Sequence, residues 1–268
     1  MSSFMCRNIW RPLLVSFVLL WTSAMTPAFA ASLASTSTHA ASRLDPTDFR
    51  TRVDFRNRYL APQAGGYRDL LTSRVDYAFN KIIAMRIEMP YVHGDLNNPR
   101  VPPETGVGDL SVRFNYRALR NEKFALVVGS EFQFDTAATP QLGAGKTVIA
   151  PIAFLSFDAP KLHSTLFPTL QYFRSVAGDD RRAEVNYTAV QLFTITRWPA
   201  SFYTGTQTVM YIDHLRNHGI GATLEIEAGR FVSKHLAMWL RPGIGTHGDD
   251  IPQVYLWNLE VGFRYLFD

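Results

Sequence analysis

The sequence predicts an all-β fold, a closed antiparallel transmembrane β-barrel of about twelve strands with up-and-down topology. Three observations lead to this prediction. The chain begins like an exported protein, its remaining length alternates apolar and polar residues with a period of two, and the connections between the alternating segments are short and long in turn. Together they are typical of a barrel in a bacterial outer membrane.

The N-terminus has the three parts of a secretory signal peptide, predicted over residues 1–30. Arg7 and Arg11 give a basic start without acidic residues, the stretch PLLVSFVLLW forms an apolar core, and a small-x-small cleavage site ends at Ala30. The core is too short for a membrane-spanning helix. A lipoprotein anchor is excluded, because its cysteine would follow the apolar core whereas Cys6 precedes it. Cleavage of the signal peptide removes Cys6, so the mature chain has no thiol.

The rest of the chain divides into a short lead and the barrel. Residues 31–48 are rich in Ala, Ser and Thr without hydrophobic periodicity, so we expect a flexible periplasmic lead there. Residues 49–268 form the predicted outer-membrane barrel. Removing residues 1–30 removes two arginines and no acid, so 27 basic residues become 25 against 23 acidic ones, and the net charge falls from +4 to +2. This near balance and the export signal argue against a nucleic-acid partner.

The period-two alternation is clearest in the last segment, from Tyr255 to Asp268. Every odd position through Phe267 is large and apolar, and the even positions include Glu260 and Arg264. Such a segment is a strand with one apolar and one polar face. Most segments of this kind run nine to fifteen residues, long enough to cross a bilayer at a tilt. The predicted strands are 52–60, 69–79, 82–92, 107–118, 123–135, 146–158, 162–176, 182–197, 200–213, 219–232, 235–247 and 254–267.

Connections between these strands alternate in length, as short periplasmic turns and longer outer loops do in outer-membrane barrels. The turns are 80–81, 120–122, 159–161, 198–199 and 233–234, and the loops are 61–68, 93–106, 136–145, 177–181, 214–218 and 248–253. Aromatic residues near strand ends fit interfacial girdles. They are Phe79, Trp198, Trp257, Tyr265 and Phe267. A soluble β-sandwich would show the same alternation and stays open as an alternative.

The stretch TGVGDLSVRFNYRAL, residues 105–119, resembles a strand opening of the outer-membrane "transporter" family of the meta-pathway phenol-degradation type. Further matches, in the family's usual order, lie at residues 143–154, 227–250 and 261–267. The resemblance implies a closed barrel of about twelve strands and passage of small, often apolar or aromatic, solutes. The family's terminal strand usually ends in Phe. Here Asp268 follows Phe267, so recognition of this strand by the barrel-assembly machinery is expected to shift by one residue.

If the apolar face of each strand meets lipid, the polar face lines the interior, and that face is heavily charged. Water or opposite charge must solvate these groups. Two interpretations stay open: a narrow wet channel whose charged walls set selectivity, or ion pairs that plug a closed structural barrel. We favour a channel that passively conducts a small solute. Arg58 lies on the same face as the candidate pore-lining residues. These candidates are Arg52, Asp54, Arg56, Arg74, Asp76, Arg86, Glu88, Arg113, Arg117, Glu131, Glu225, Glu227, Glu260 and Arg264.

A membrane-embedded lipid hydrolase, acting on phospholipid or lipid A, is the alternative function. It requires a Ser beside a His base, and His163-Ser164 is the candidate pair. Adjacent residues on a strand point to opposite faces, so we predict no catalytic residue and no enzyme. His214 and His218 lie in a loop and offer at most weak divalent-cation binding, so no resident metal or cofactor is predicted. Acidic pairs that could share a divalent cation with lipopolysaccharide lie at 179–180 and 249–250.

One string resembles a nucleotide site. QLGAGKTVIAP, residues 141–151, has the Gly-Lys-Thr end of a phosphate loop, but Pro140 stands where the motif requires its first glycine. We therefore expect the string to end an outer loop and begin a strand. Lys146 would then lie near the membrane surface, within reach of lipopolysaccharide phosphate.

Overall fold

The computed structural model describes residues 43–99, 101–139, 141–216, 218–248 and 251–267. The predicted signal peptide, residues 31–42 of the predicted lead, Pro140, the acidic pair 249–250 and Asp268 lie outside the described residues. Within them, the chain forms thirteen strands. They are β1 (Arg52–Pro62), β2 (Tyr67–Ala78), β3 (Ile83–Asp95), β4 (Glu104–Val107), β5 (Ser111–Arg120), β6 (Phe124–Gln133), β7 (Lys146–Ala159), β8 (Ser164–Gly178), β9 (Asn186–Arg197), β10 (Phe202–Asp213), β11 (Ile220–Phe231), β12 (Leu236–His247) and β13 (Tyr255–Leu266).

The strands form one closed antiparallel sheet. β1 pairs with both β2 and β13, and the pairing of β2 with β3 completes the circle. Both β4 and β5 pair with β3, so they are two parts of one barrel strand, and the thirteen strands make a twelve-stranded barrel. The predicted closed barrel of about twelve strands is confirmed. No helix among the described residues is long and apolar enough to span a membrane.

The break between β4 and β5 has a local cause. A Cβ at Gly108 would lie 3.0 Å from side chains of β3, a closer approach than most side chains allow. Asp109 then turns its carboxylate to the loop 134–145, where it accepts hydrogen bonds from the backbone N–H groups of Ala137 (3.1 Å) and Ala144 (2.6 Å). The Gly-Asp pair therefore anchors this loop instead of continuing the strand.

The alternation places the apolar face of each strand on the outside. In β13, Val261 is 48% exposed, whereas the neighbouring Glu260 is 2% exposed. A soluble sandwich buries its apolar face, so this arrangement is that of a barrel surrounded by lipid. The prediction that Tyr255 lies on the apolar outer face was wrong. Its side chain is buried, and its hydroxyl group donates a hydrogen bond to Glu225 (2.7 Å).

Inner-face glycines make room for two large aromatic side chains. A Cβ at Gly262 would lie 2.3 Å from the ring of Trp239, and one at Gly229 would lie 2.2 Å from the ring of Tyr203. Each ring therefore packs against bare backbone of the neighbouring strand. This keeps the rings close to the wall and leaves space towards the barrel axis.

The predicted turns and loops occupy opposite ends of the barrel, but the loop 63–66 is no longer than the four-residue turns, because β1 and β2 extend further than predicted. We call the two ends the turn end and the loop end, and the turn end also holds the start of β1 and the end of β13. The turns are 79–82, 121–123, 160–163, 198–201 and 232–235, and the loops are 63–66, 96–103, 134–145, 179–185, 214–219 and 248–254. The five predicted girdle aromatics are all exposed near strand ends.

The last part of the predicted lead lies inside the barrel. Residues 43–48 enter the turn end, where Leu44 is 5% exposed and Thr47 is fully buried. Residues that precede the predicted barrel start at residue 49 therefore contact the barrel interior. The two leucines of residues 31–48, Leu33 and Leu44, are too far apart to form a periodic signal, which is why the sequence alone grouped this segment with the lead.

Candidate functional site

The barrel encloses a polar cavity of about 450 Å³, to which every barrel strand contributes side chains. Twelve of the fourteen predicted pore-lining residues line it: Arg52, Asp54, Arg56, Arg74, Arg86, Glu88, Arg113, Glu131, Glu225, Glu227, Glu260 and Arg264. The other two lie nearer the turn end. Asp76 borders a small adjoining space, and Arg117 donates to the backbone carbonyl of Thr47 (3.1 Å).

Asp76 binds three arginines in the part of the interior nearest the turn end. Its carboxylate accepts hydrogen bonds from Arg52 (2.5 Å), Arg74 (2.7 Å) and Arg86 (2.7 Å), which come from β1, β2 and β3. The register explains the meeting, because Asp76 lies directly opposite Arg52 on one side and Arg86 on the other. One carboxylate thus binds three neighbouring cations and neutralises only part of their charge.

Asp54 is the second such centre and is 1% exposed. Arg264 donates two hydrogen bonds to it, from Nε (2.8 Å) and Nη2 (2.7 Å). Arg74 also lies within ion-pair distance, with Nη1 3.8 Å from the carboxylate. Burying a charge this deeply is tolerable only with close, hydrogen-bonded partners, which this two-point contact supplies.

A third group of charges spans β11, β12, β13 and β1. Arg241 pairs with Glu227 and lies 3.5 Å from Glu260 and 3.8 Å from Glu225. Arg58 pairs with Glu225 from the other side. Further pairs join Arg56 to Glu88 (2.5 Å) and Arg113 to Glu131.

Sequence reasoning missed Arg241. Pro242 and Gly243 follow it directly and obscure the alternation in that segment. The signal that would have found it is the strand register, because Arg241 lies opposite Glu260 on β13. An arginine and a glutamate facing each other across two strands share one face of the sheet.

The interior charges nearly cancel. Eight arginines face seven carboxylates, which leaves a net charge of +1 for this group. The arginines are Arg52, Arg56, Arg58, Arg74, Arg86, Arg113, Arg241 and Arg264, and the acids are Asp54, Asp76, Glu88, Glu131, Glu225, Glu227 and Glu260. All of them lie on strands β1–β3, β5, β6 and β11–β13. We call this surface the charged wall.

The opposite side of the cavity, formed by β7–β10, is uncharged, and we call it the neutral wall. It carries amide and aromatic side chains: Phe154, Phe167, Gln171, Gln191, Phe193, Tyr203, Gln207 and Tyr211. Gln207 donates its side-chain amide hydrogen bond to Gln191 (3.3 Å). The sequence did not predict this wall, because its residues lack the charge that marks the other inward-facing strand faces.

The candidate residues for hydrolysis and metal binding, His163, Ser164, His214 and His218, lie in the described part of the chain. The hydroxyl of Ser164 donates to the carbonyl of Leu162 (2.8 Å) and lies 2.8 Å from that of Thr196, and His163 ends a short turn. No group of three or more His, Cys, Asp or Glu in this part of the chain is placed to hold a metal ion. Nδ1 of His214 lies 3.4 Å from Nδ1 of His218.

The Gly-Ala-Gly-Lys-Thr string lies where the sequence placed it, at the end of a loop and the start of β7. Gly145 has a φ of 68°, the left-handed conformation that favours glycine at such a bend. The expectation for Lys146 was wrong, however. Its side chain is 3% exposed and its ammonium group donates to Glu184 (2.6 Å), so it is not free to reach a lipid phosphate.

The geometry defines the class of this protein: a twelve-stranded membrane β-barrel with a polar interior cavity. No family model and no curated protein sequence matches the chain. Several solved structures share its fold. The COG4313 outer membrane channel from Pseudomonas putida F1 has a TM-score of 0.66 and 11% identity, covering 83% of this chain and 99% of that one. The NanC porin has a TM-score of 0.59 and 13% identity, covering 80% and 98%.

A third similar structure is the KdgM porin in complex with disordered oligogalacturonate. Its TM-score is 0.55 and its identity 11%, covering 81% of this chain and 99% of that one. At such identities the similarity establishes the fold alone. The chain therefore has the fold of outer-membrane porins and channels.

Proposed function

We propose that this protein is an outer-membrane channel for the passive passage of a small solute. The observation that carries the proposal is the polar cavity of about 450 Å³ inside a membrane barrel, with charges on one wall and amides and aromatic rings on the other. A purely structural barrel gains more from an apolar interior, because buried ion pairs contribute little net stability. The fold shared with porins and channels supports the same proposal.

We further propose that the solute is small and in part apolar or aromatic, as the family resemblance implies. Rings of the neutral wall such as Phe193 and Tyr211 would contact the apolar part of such a molecule. The near balance of charge on the charged wall makes a strong preference for anions or cations unexpected. The proposal includes export through a cleaved signal peptide, assembly through the last strand and contact with lipopolysaccharide.

Single-channel recording in planar bilayers tests this function. We expect current from the purified protein, and a reduced current from Gln191→Trp, which fills space at the cavity wall. Leu192→Trp is the matched control, because the neighbouring Leu192 lies on the lipid-facing side and is 42% exposed. Liposome swelling with a graded series of small aromatic and non-aromatic solutes then ranks the solutes that pass.

Each result has a clear meaning for the proposal. No current at any voltage, and no swelling with any solute, would favour a closed structural barrel instead. Equal currents in the two tryptophan variants would place the conducting path outside the cavity. Heat-modifiable migration on gels confirms that each variant is folded before it is recorded.

A further inference from the structure

We propose that His214 and His218 form a binding site for an exchangeable zinc ion at the loop end of the barrel, and that the bound ion holds the loop 214–219 closed. The proposal goes beyond the channel function and does not depend on it. It is carried by two imidazole nitrogens that face each other at the distance a tetrahedral ion requires, and by the hydrogen bonds that hold them there.

The separation of the two rings fits a shared metal ion better than a hydrogen bond. Nδ1 of His214 lies 3.4 Å from Nδ1 of His218. Hydrogen bonds donated by N–H groups in proteins are usually about 2.7–3.2 Å long. Two nitrogens that bind one tetrahedral zinc ion, each at about 2.0–2.1 Å, lie about 3.3–3.4 Å apart. The pair therefore has the spacing of two ligands of one ion.

Contacts with β9 fix the position and the tautomer of His214. Its backbone N–H donates to the carbonyl of Asn186 (2.9 Å), and its Nε2 lies 2.9 Å from Oγ1 of Thr188. When Nε2–H donates to this hydroxyl oxygen, Nδ1 keeps the lone pair that a metal ion needs. Histidines that bind metal ions commonly donate their second N–H in this way. Thr188 is therefore a positioning residue for the site.

His218 reaches the site from a backbone conformation that is uncommon outside glycine. Its φ is 55°, in the left-handed region, where histidine and asparagine occur more often than most residues. Its ring meets that of His214 edge to face, with centroids 5.6 Å apart and an angle of 73° between the planes. The side of the pair formed by His218 is exposed, so an ion from the surrounding solution can enter.

Hydrogen bonds close the base of the loop without any ion. The backbone N–H of Asp213 donates to the carbonyl of Gly219 (2.9 Å), and the N–H of Gly219 donates to the carbonyl of Arg216 (2.8 Å). The Asp213 carboxylate accepts from the N–H groups of Leu215 (2.8 Å) and Arg216 (3.1 Å). The sequence spacing alone carries no fixed geometry in a loop, but these bonds supply one, which lowers the cost of ordering the ligands.

The ligand types select the class of ion. Imidazole suits zinc and the neighbouring transition metals, whereas calcium and magnesium prefer oxygen ligands. The nearby Asp213 carboxylate is engaged by the loop and by Nη1 of Arg216 (2.6 Å). Two imidazoles leave two positions of a tetrahedral ion to water, so we expect zinc to exchange with the solution and not to be a permanent structural ion.

Calorimetric titration of the purified protein, without a histidine tag, with zinc chloride tests the site. We expect the native chain to bind one equivalent, and His214→Phe and His218→Asn to lower the affinity by about tenfold or more. Phenylalanine keeps an aromatic ring near Tyr172, whose centroid lies 6.0 Å from that of His214. Asparagine tolerates the left-handed backbone of His218, so both variants remove a ligand and leave the loop unstrained.

Two further variants complete the titration. His93→Phe is the matched control, because His93 is an exposed histidine near the loop end of β3 whose two ring nitrogens already have partners. They are the hydroxyl groups of Tyr67 (2.7 Å) and Thr105 (2.6 Å), so no change in zinc affinity is expected. Thr188→Val keeps the shape of the side chain but removes the partner of Nε2, and should lower the affinity by about tenfold.

Hydrogen exchange followed by NMR tests whether the ion holds the loop closed. The N–H groups of Leu215 and Gly219 are hydrogen-bonded within the loop, so they exchange when it opens. If opening separates the two histidines, zinc at about a hundred times its Kd should slow this exchange by about a hundredfold. The N–H of Arg182, which donates to the carbonyl of Asp179 (2.9 Å) in another loop, should exchange at an unchanged rate.

These measurements do not involve conduction, so their failure and the failure of the channel are separate results. The absence of saturable zinc binding by the native chain would overturn the site. Equal affinity of the native chain, His214→Phe and His218→Asn would also overturn it, because the ion would then bind elsewhere. Unchanged exchange at Leu215 in the zinc-saturated protein would overturn the closed loop. One equivalent of zinc, weakened binding in both histidine variants and slowed exchange would establish the proposal.

Discussion

Replacing Arg264 with Met is expected to destabilise the barrel, because it isolates a buried carboxylate. Arg264 donates hydrogen bonds of 2.8 Å and 2.7 Å to Asp54. The Asp54 side chain is 1% exposed, so its charge is stabilised by its arginine partners and not by water. Among the described residues, Arg74 is the other cation within ion-pair distance of this carboxylate, at 3.8 Å.

The magnitude follows from these contacts. Removing one partner of a buried ion pair costs about 3–5 kcal/mol, because the remaining charge stays desolvated. The contact with Arg74 retains part of the attraction, so we place the loss for Arg264→Met at the lower limit, about 3 kcal/mol. Adding Asp54→Leu removes the isolated charge. The double variant is therefore expected to regain most of the lost free energy of unfolding.

Urea unfolding in detergent or lipid, followed by tryptophan fluorescence, gives the free energy of unfolding of each variant. Arg181→Met is the matched control, because Arg181 makes a similar contact to Asp179 (2.9 Å) with its own side chain 90% exposed. Exposed pairs add little stability, so no measurable change is expected there. Equal losses in the buried and the exposed variant, or a double variant less stable than Arg264→Met, would refute the reasoning.

Three further predictions concern the wall, the charge balance and the loop end. Gly262→Ala places a Cβ 2.3 Å from the Trp239 ring and should lower the folded fraction recovered from urea, measured by heat-modifiable migration. Arg56→Gln leaves seven arginines against seven carboxylates on the charged wall, and should shift the reversal potential in a salt gradient towards cation preference. Asp179, whose pKa is lowered to about 2 by its hydrogen bond from Arg181, stays ionised above that value and loses the charge that holds this hydrogen bond as pH falls through about 2. In an NMR titration, Arg181→Gln should raise this pKa towards 3.8.

Each of these predictions has its own control. Gly94→Ala, on β3, places its Cβ no closer than 3.5 Å to a neighbour and should fold like the native chain. Arg174→Gln changes an exposed arginine of β8 and should leave the reversal potential unchanged. If Gly94→Ala and Gly262→Ala fold equally poorly, or if Arg174→Gln shifts the potential as much as Arg56→Gln, the corresponding reasoning fails. For Asp179, a pKa that stays near 2 without its arginine would contradict the assigned cause.

The strands were predictable because lipid imposes a simple requirement on them. A strand that separates lipid from a polar interior must alternate at every residue, and the sequence of β13 shows this alternation from Trp257 to Tyr265. The interruption between β4 and β5 was not predictable in the same way. It depends on Gly108 approaching β3 and on Asp109 binding a loop that lies about thirty residues further along the chain.

The candidate site was predictable in part for a related reason. Charged residues on a polar strand face must point inward, and the structure places Asp54, Glu88 and Glu260 there. Which charges meet depends on strand register and closure, which join β1 to β13 across the whole chain length. The same closure brings Arg241 to Glu260, a pair that the local sequence around Pro242 concealed.

By itself, the sequence determined that the chain forms a barrel with a charged interior, because the period-two pattern is local and lipid fixes which face is apolar. The tertiary structure alone decided how that interior is divided. Residues far apart in the chain form the neutral wall and share the carboxylates of Asp54 and Asp76. They also form the apolar cluster in which Leu44 packs. Such contacts exist only once the sheet has closed, and no local pattern in the sequence records them.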